Sequence, residues 1–474
     1  MARYLLASAV LFCVFLPCAF AEEQTEDSKP TETVTPAEEP SPQGPPPGFD
    51  SKRPLSPKDL ARKNTGGYFT GLPLANFDPN TGVGFGARAY YYYNGNKDDP
   101  FFAYTPYLHR VFAQAFATTK GLQFHWLDYD APALAGTSYR LRSQLIFFRN
   151  NSSHYYGIGE KTLGEFEYTG SSDSFKKFSD YDSELRRVRG GEAYTRYDNF
   201  IITQPILLVS VERTFLKGLV RPLLGLGFTY TDIDDYTGRT VDGELNGERV
   251  SAPMAETRLS EDCGLGLLVG CDGGWNNFIK LGISFDTRDF EPDPNRGLFL
   301  DMALDIGTKA LGSKFNYARF LVAARGYVSP FPELADLVLA GRATFQAQSK
   351  SAPFFSLNAM PYTENTRAGL GGHRTLRGFQ QDRFVGHLYG LLNTELRWTF
   401  YRFEFLKQRF ALMAAGLLDI GRSFDNAGNL TLKNWQRGQG GSFRVAWNQA
   451  TVVVVDYAVS DEDTGLYINF EHQF

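Results

Sequence analysis

Long stretches of this chain alternate between apolar and polar residues with a period of two, and this pattern limits the possible folds more than any other feature. Apolar side chains recur at every second position within 83–93, 139–147, 279–286 and 339–346. Successive side chains of a β-strand point to opposite faces, whereas a helix would repeat every 3.6 residues. The pattern therefore predicts an all-β protein.

Alternation alone does not separate a soluble β-sandwich from a transmembrane β-barrel. Three further features favour the barrel. The alternating segments reach the ~9–11 residues that a tilted strand needs to cross a bilayer. The gaps between them alternate between short and long, and aromatic residues cluster near strand ends, as at 90–93 and 398–401. The composition, with 15% aromatic residues and 47 Gly, suits pleated strands and turns.

The segments predict a transmembrane antiparallel β-barrel of about sixteen strands. Their centres are expected near Thr70, Ala89, Tyr107, Phe124, Ser143, Ile202, Gly225, Leu281, Met302, Leu321, Ala343, Thr394, Ala414, Arg444, Val454 and Phe470. An even count places both termini on the same side, expected to be the periplasm. The outer loops are then the long gaps 150–193, 232–275, 349–384 and 421–440.

The N-terminal residues predict export. Arg3, the apolar run 4–16 and an A-x-A site at 19–21 form a secretory signal peptide over residues 1–21. A membrane anchor and a lipoprotein signal using Cys18 are the less favoured alternatives. Residues 22–65 are acidic and proline-rich, which predicts a periplasmic tail with a short helix near its end. The barrel is expected over 66–474.

Charge and cysteine content narrow the function classes. A formal net charge of −5, with no basic stripe, argues against a nucleic-acid partner. After cleavage only Cys263 and Cys271 remain, and an exported protein lies in an oxidising compartment. A disulfide closing a small outer loop is favoured. A metal site is the alternative, but no His lies near the pair, so we expect no metal and no cofactor.

The last ten residues form an alternating segment that ends on Phe474. Leu466, Ile468, Phe470 and Phe474 are predicted to share one face. The segment is similar to the C-terminal signal by which bacterial outer-membrane barrels are recognised for assembly, with Ile468, Phe470 and Phe474 as its key residues.

The stretch Gly369–Phe379 is glycine-rich, lies in a gap too long for a hairpin turn and carries Arg377. A long loop of this kind is usually functional or disordered. On the following strand Asn393, Glu395 and Arg397 share the polar face, and Asp419 lies on the strand after that. A loop folded into the lumen could bring Arg377 against Glu395 and Asp419. The alternative is a solvated Arg377 with two ordinary lumen carboxylates.

Three patterns resemble one family, the BamA/TamA superfamily of outer-membrane assembly barrels, also called bacterial surface antigens. Arg377-Gly378-Phe379 resembles the motif of its sixth outer loop. Asp286-Thr-Arg288-Asp289, followed by Pro294-Asn-Arg296-Gly297, resembles a hairpin of the family. The segments 394–396 and 418–421 resemble its next two strands. The resemblance covers 276–474, and it implies that Arg377 anchors an inward-folded loop.

The resemblance implies a barrel that inserts or translocates protein or lipid at the outer membrane. Expected partners are outer-membrane lipid and lipopolysaccharide, unfolded outer-membrane or secreted proteins, and the host machinery that assembles the barrel. Residues 22–66 leave no room for the POTRA domains of the family, which puts secretion and insertase roles in doubt. The alternative is a passive pore or surface antigen. We find no nucleophile motif and expect no enzymatic activity.

Overall fold

A computed structural model gives the fold of the protein. It describes residues 55, 60–61, 63–78, 81–289, 294–331, 336–364, 366–405, 408–447, 451–470 and 474. The predicted signal peptide 1–21 and most of the predicted tail 22–65 lie outside the described residues. Within the tail, Leu60 and Ala61 are helical, at the place where a short helix is expected.

Sixteen antiparallel strands form one closed β-barrel, in which each strand pairs with its neighbours in chain order and β1 pairs with β16. The strands are β1 (Gly67–Asp78), β2 (Gly82–Tyr93), β3 (His109–Thr118), β4 (Leu122–Ala131), β5 (Tyr139–His154), β6 (Asn199–Arg213), β7 (Val220–Asp235), β8 (Phe278–Asp286), β9 (Gly297–Gly307), β10 (Tyr317–Val328), β11 (Leu337–Gln348), β12 (Leu388–Phe405), β13 (Gln408–Phe424), β14 (Gln436–Trp447), β15 (Thr451–Val459) and β16 (Thr464–Phe470). A short strand, Gly274–Trp275, also pairs with β7 just before β8. The predicted fold class is confirmed.

Fifteen of the expected strand centres fall inside strands, and one was wrong. Tyr107 lies just before β3, in the connection 94–108. Its hydroxyl donates a 2.7 Å hydrogen bond to Asp130. The aromatic residues around Tyr107 resemble a strand in the sequence. Their rings are buried in the turn before β3 and not in the sheet.

The two faces of each strand differ as alternation predicts. On β12, Leu396 and Trp398 are about half exposed on the outer face, while Asn393, Glu395 and Arg397 are buried on the lumen face. The tyrosines at 90–93 are divided between the two faces of β2. Tyr90 and Tyr92 share a face with Arg88, away from the exposed Val83 and Phe85, so they face the lumen.

Strand order divides the connections between two ends of the barrel. One end, here the long-loop end, carries 155–198, 236–277, 349–387 and 425–435. The other, the short-turn end, carries brief turns and the connection 94–108. The four expected outer gaps thus fall at a single end. The last of them is shorter than expected because β13 continues to Phe424.

The long loops contain the helices and two small hairpins. The helices are α1 (Phe178–Leu185), α2 (Arg258–Gly264) and α3 (Phe354–Leu357). The hairpins are Thr240–Leu245 with Glu248–Pro253, and Ala359–Pro361 with Thr366–Ala368. Short 3-10 turns lie at Leu134–Gly136, Gly159–Leu163, Leu216–Gly218, Lys309–Leu311 and Ala427–Asn429. None of the helices within the described ranges has the length and apolar character needed to cross a bilayer.

Packed aromatic rings hold the long loops together over the barrel. Tyr156, Phe166, Tyr168, Tyr181 and Tyr197 form one buried cluster. Such ring contacts add to the free energy gained by burying apolar area. The long-loop end is therefore covered by an ordered cap instead of separate loops.

A disulfide joins Cys263 at the end of α2 to Cys271, with 6.1 Å between the Cα atoms. It closes a small loop of the 236–277 connection. The backbone N–H of Phe354 donates to the Val269 carbonyl inside this loop, at 2.9 Å. The bridged loop therefore supports the start of the connection 349–387.

Candidate functional site

The connection 349–387 between β11 and β12 folds back into the lumen, and we call it the inward loop. When the short turns at the long-loop end are counted together with the long loops, it is the sixth connection at that end. Two parts of it reach the barrel wall. The hairpin arm, residues 359–364, contacts β8 to β11 and Arg142 of β5. The arginine arm, residues 369–379, contacts β11 to β16 and Asp78 of β1.

The arginine arm turns sharply because of its glycines and Thr375. Gly371, Gly372 and Gly378 have φ values of +118°, +77° and +89°, which only glycine adopts readily. The Thr375 hydroxyl donates to the Gly369 carbonyl at 2.6 Å and accepts from the Gly371 N–H at 3.1 Å. These bonds fix the loop backbone so that Arg377 points at the wall.

Arg377 is fully buried and binds three carboxylates. Its Nε and Nη2 donate to the two oxygens of Asp419, at 2.7 and 2.9 Å. Its Nη1 donates to Glu395 and to Asp456, both at 3.0 Å, and its backbone N–H also reaches Asp419 at 3.1 Å. The fork of a guanidinium suits such bidentate, charge-assisted binding.

Two more buried arginines complete the cluster. Glu395 accepts from Arg397 Nε at 2.8 Å and forms an ion pair with Arg444 Nη2 at 2.9 Å. Asn393 donates to Asp419 at 2.7 Å and to the Thr375 carbonyl at 2.6 Å. Three arginines thus face three carboxylates, and removing one member would leave a buried charge unpaired, at a cost of about 3–5 kcal/mol.

The arm docks against the wall only because two glycines allow close approach. A Cβ at Gly378 would lie 2.8 Å from the Val459 carbonyl carbon on β15, and a Cβ at Gly438 on β14 would lie 1.9 Å from the Arg377 carbonyl oxygen. Next to them, Phe379 is buried and packs on Phe384, with ring centroids 5.2 Å apart. The docked backbone therefore has no room for a side chain at either glycine.

A second arginine of the inward loop ties it to the cap. Arg383 donates to both carboxylate oxygens of Glu462 in the β15–β16 turn, at 2.8 and 3.0 Å, and to the carbonyls of Thr162 and Gly164. Burial raises the pKa of the Glu462 carboxyl, against the opposing effect of Arg383. The inward loop therefore links the lumen wall to the loops above it.

The hairpin arm is held by a separate set of charges. Lys280 forms an ion pair with Asp305 at 2.9 Å and donates to the Tyr362 carbonyl at 3.4 Å. Arg319 binds Asp305 at 2.7 Å and the Ser356 carbonyl at 3.0 Å. The arm is thus fixed by side chains of β8, β9 and β10.

The tip of the hairpin arm reaches the family hairpin motif. Glu364 accepts from Arg325 at 3.1 Å and lies 3.7 Å from Arg288. Arg288 donates to both oxygens of Asp286, at 2.8 and 2.9 Å. The inward loop therefore extends from the cap to the turn that follows β8.

The turn between β8 and β9 is closed by Asp289 and Gly297. The Asp289 carboxylate accepts from the backbone N–H groups of Asn295 and Arg296, at 3.0 and 3.2 Å. Gly297 has a φ of +113°, and a Cβ there would lie 2.4 Å from the Thr287 carbonyl oxygen. The Arg296 side chain is exposed.

The residues predicted for the anchor, Arg377, Glu395 and Asp419, lie together in the lumen. Asp456, Arg397 and Arg444 were not predicted as members of the cluster. Their alternation on β15, β12 and β14 identifies them as lumen residues, but it does not show which of them the loop reaches. Among the described residues, no group of three or more His, Cys, Asp or Glu is arranged to hold a metal.

The C-terminal residues divide between two places. Ile468 on β16 pairs with Phe77 of β1, and Phe470 ends β16 opposite Val453. The prediction that Phe474 shares one face with Leu466 was wrong. Phe474 is buried against Tyr327, Val338 and Ala340, under the guanidinium of Arg397. Alternation stops where β16 ends, so it does not fix the position of Phe474.

Comparison with known families and structures gives four findings. Residues 192–470 match the Omp85 superfamily domain, and residues 46–108 match a domain described as Domain of unknown function (DUF5982). BamA from Haemophilus ducreyi lacking POTRA domains 1-3 is 11% identical with a TM-score of 0.50, over 86% of this chain and 70% of that one. CdiB from Escherichia coli is 10% identical with a TM-score of 0.48, over 85% of this chain and 62% of that one. No curated protein matches the chain.

At such low identity, the likeness to BamA shows the fold alone. The chain spans less than two thirds of the CdiB chain. The match to the superfamily domain covers the inward loop, the family hairpin and every strand from β8 to β16.

Losing the arginine contact should undock the arm. Arg377→Ala leaves Glu395, Asp419 and Asp456 without their shared cation, and Gly438→Ala puts a Cβ where the Arg377 carbonyl lies. Each should destabilise the folded barrel by about 3–5 kcal/mol. The measurement is the loss of the heat-resistant, fast-migrating species on a semi-native gel.

Gly441→Ala on the same strand is the matched control, because its Cβ would be 3.8 Å from the nearest atom. It should behave like the unaltered protein. If Gly438→Ala and Arg377→Ala also behaved like the unaltered protein, the arm would not be a structural anchor.

The inward loop should hold more tightly in mild acid. Burial raises the pKa of Asp382 from 3.8 to about 7, so the fold favours the protonated carboxyl. The contribution to stability is full below pH 3.8 and is lost as pH rises through 7. We expect about 2–3 kcal/mol less stability at pH 8 than at pH 5, seen as a lower gel transition temperature.

Asp382→Asn is the variant that isolates this effect, because Asn resembles the protonated acid and tolerates the φ of +56° at this position. It should flatten the difference between pH 5 and pH 8. A pH dependence identical to that of the unaltered protein would exclude Asp382 as its source.

Proposed function

Because the chain belongs to the Omp85 superfamily, we propose that it inserts or translocates protein or lipid at the outer membrane. A closed sixteen-stranded barrel of this type is an outer-membrane fold, which agrees with the exposed apolar outer face. The proposed cargo is an unfolded outer-membrane or secreted protein, or a membrane lipid. The proposed role involves no enzymatic step. Assembly of the barrel by the host machinery, directed by Ile468, Phe470 and Phe474, is part of this proposal.

The observation that carries the proposal is the weak seam between the first and last strands. β1 pairs with β2 at twelve positions and β15 with β16 at seven. Across the seam, the described residues pair at one position, Phe77 with Ile468. β1 also contains Pro73, which has no N–H to donate. We therefore propose that the seam is the place where a cargo would pass between lumen and bilayer.

The inward loop supports this role by keeping the rest of the wall rigid. Arg377 binds side chains of β12, β13 and β15, and the hairpin arm binds β8 to β10. Strands β8 to β15 are therefore cross-linked from inside. The arm also reaches both seam strands, through Gly378 with Tyr467 on β16 and through His373 with Asp78 on β1, so an opening at the seam must break these contacts.

A passive pore or surface antigen is the second candidate, because no POTRA-like domain occurs within the described part of the chain. The docked loop argues against an open pore. It fills the lumen beside β8 to β15 with buried residues of both arms. A pore open along β8 to β15 would need this loop to leave.

Locking the seam should block the activity. Phe77→Cys with Ile468→Cys places two thiols at the one described seam pair. Under oxidising conditions we expect loss of stimulated folding of an outer-membrane protein into proteoliposomes, and of lipid transfer between their leaflets. Reduction should restore both.

Ala89→Cys with Ala113→Cys is the matched control, because it cross-links the fully paired neighbours β2 and β3. It should leave activity unchanged. Full activity of the oxidised seam variant would refute passage through the seam.

Conductance in planar bilayers separates the two candidates. The unaltered protein should show a closed baseline, and Arg377→Ala should add open events because the arm no longer holds its place. A steady open current through the unaltered protein would favour the passive pore.

A further inference from the structure

The lumen wall formed by β1 to β5 is built of aromatic side chains, and we call it the aromatic wall. Its members are Tyr68, Tyr90, Tyr92, Phe112, Phe116, Phe124, Trp126 and Phe148. They alternate with the exposed outer residues Phe69, Phe85 and Leu127. They share their face with Asp128 and Asp130, which are fully buried. These rings therefore point into the barrel.

The rings of the aromatic wall form a nearly continuous series across the five strands. Ring centroids lie 5.2 Å apart for Tyr68–Tyr92, 4.8 Å for Tyr90–Phe112 and 4.9 Å for Phe112–Trp126. The series continues from Trp126 to Phe124 at 6.1 Å and from Phe124 to Phe148 at 6.5 Å.

The inward loop covers only the β5 edge of this wall, where Arg142 donates to the Glu364 carbonyl and Phe148 packs against the buried cluster that includes Phe354. On β11 and β12, lumen residues such as Gln346 and Glu395 are fully buried under the loop. In the aromatic wall only Phe112 is buried, and its other rings stay partly exposed inside the lumen. Apolar rings exposed in this way form a surface that binds an apolar ligand.

The wall changes from charged to apolar along the barrel axis. At the short-turn end, Arg110 pairs in register with Asp130, and Asp130 with Arg142. Nearer the long-loop end, Phe124 pairs with Phe148. A ligand that fits both levels has a charged end and an apolar chain.

The charged level favours an anion. Arg110, Arg140 and Arg142 face the carboxylates of Asp128 and Asp130, and Arg140 also pairs in register with Glu212. The three arginine side chains are 22–29% exposed, whereas both aspartates are at 0%. The guanidinium groups therefore stay accessible from the lumen while Asp128 and Asp130 do not, which suits the binding of a phosphate.

Trp126 supplies a donor between the two levels. Its indole Nε1 is buried and has no hydrogen-bond acceptor in the part of the chain that the structure describes. A buried N–H without an acceptor is costly. An ester carbonyl of a lipid would satisfy it.

An acyl chain fits this wall better than a polypeptide. An extended peptide binds to a sheet by pairing with a free strand edge, but the lumen face of β2 to β4 offers side chains only. A peptide there would leave its backbone groups unpaired, whereas an acyl chain has none. The tail at 22–54 is rich in Glu and Pro and carries few large apolar side chains, so it is poorly suited to cover the rings.

We propose that the aromatic wall binds a glycerophospholipid, with the phosphate at Arg110, Arg140 and Arg142 and an acyl chain along Trp126, Phe124 and Phe148. The proposal rests on the proposed function and names lipid as its substrate class. β1 belongs both to the wall and to the seam, so the ligand has a direct path from the bilayer. The headgroup lies at the short-turn end, which faces the periplasm in the proposed orientation.

Photo-crosslinking from single positions tests the site in the full-length protein. Phe124 and Phe148 are each replaced by p-benzoylphenylalanine, which keeps an aromatic ring there, in proteoliposomes containing radiolabelled phosphatidylglycerol. We expect a covalent lipid adduct at both positions. Leu127 on the outer face should also give an adduct, and the exposed Leu432 in the 425–435 loop should give none.

The phosphate site is tested by replacing the lipid probe, while Arg110, Arg140 and Arg142 are kept. Radiolabelled diacylglycerol lacks the phosphate, so its adduct at Phe124 should be weaker by about tenfold, the value of one charge-assisted hydrogen bond. Equal yields would overturn the phosphate site.

Adducts at Leu127 with none at Phe124 or Phe148 would overturn the proposal, as would an adduct to the chain's own tail or to a peptide. These outcomes are independent of the proposed function. If the protein stimulates folding but gives no lumen adduct, the lipid site is refuted and the proposed function stands. If a lumen adduct forms but the protein with the locked seam stays active, passage through the seam is refuted and the lipid site stands.

Discussion

The contact between Arg377 and its three carboxylates is the interaction on which the rest of the structure depends. A loop that crosses a lumen has no sheet to pair with, so its position must come from side chains. One guanidinium supplies this by reaching Asp419, Glu395 and Asp456 at 2.7–3.0 Å. The arm then brings Arg383 to Glu462 and the hairpin arm to Lys280 and Arg325, so cap, lumen and short-turn end form one connected body.

The fold was predictable because alternation is a local property. Each strand shows its two faces within about ten residues, and the match between predicted and observed strands follows from this. The anchor was predictable in part, since Arg377, Glu395 and Asp419 lie on neighbouring segments whose order resembles a family. Asp456 was not, because it follows a run of valines near the other end of the chain, and only the path of the loop brings it to Arg377.

The errors have physical causes as well. Four consecutive tyrosines place two rings on each face of β2, and a period of two does not say which face is the lumen. Phe474 lies beyond the last residue of β16, so strand alternation no longer governs it. The sequence does not identify the aromatic wall for the same reason. Its residues resemble a membrane-facing surface, and only the closed barrel shows that they face the lumen.

The absence of space at Gly378 and Gly438 bears on the order in which the barrel is built. The arginine arm precedes in the chain the strands β12 to β15, which carry the residues around Arg377. Its carbonyl at Arg377 lies against Gly438, and its Gly378 lies against Val459. Strands β13 to β15 must therefore close around an arm already in place, or leave a gap through which it enters late. The arm is in this sense a template for the last part of the sheet, and the slow step of folding lies in bringing these distant segments together.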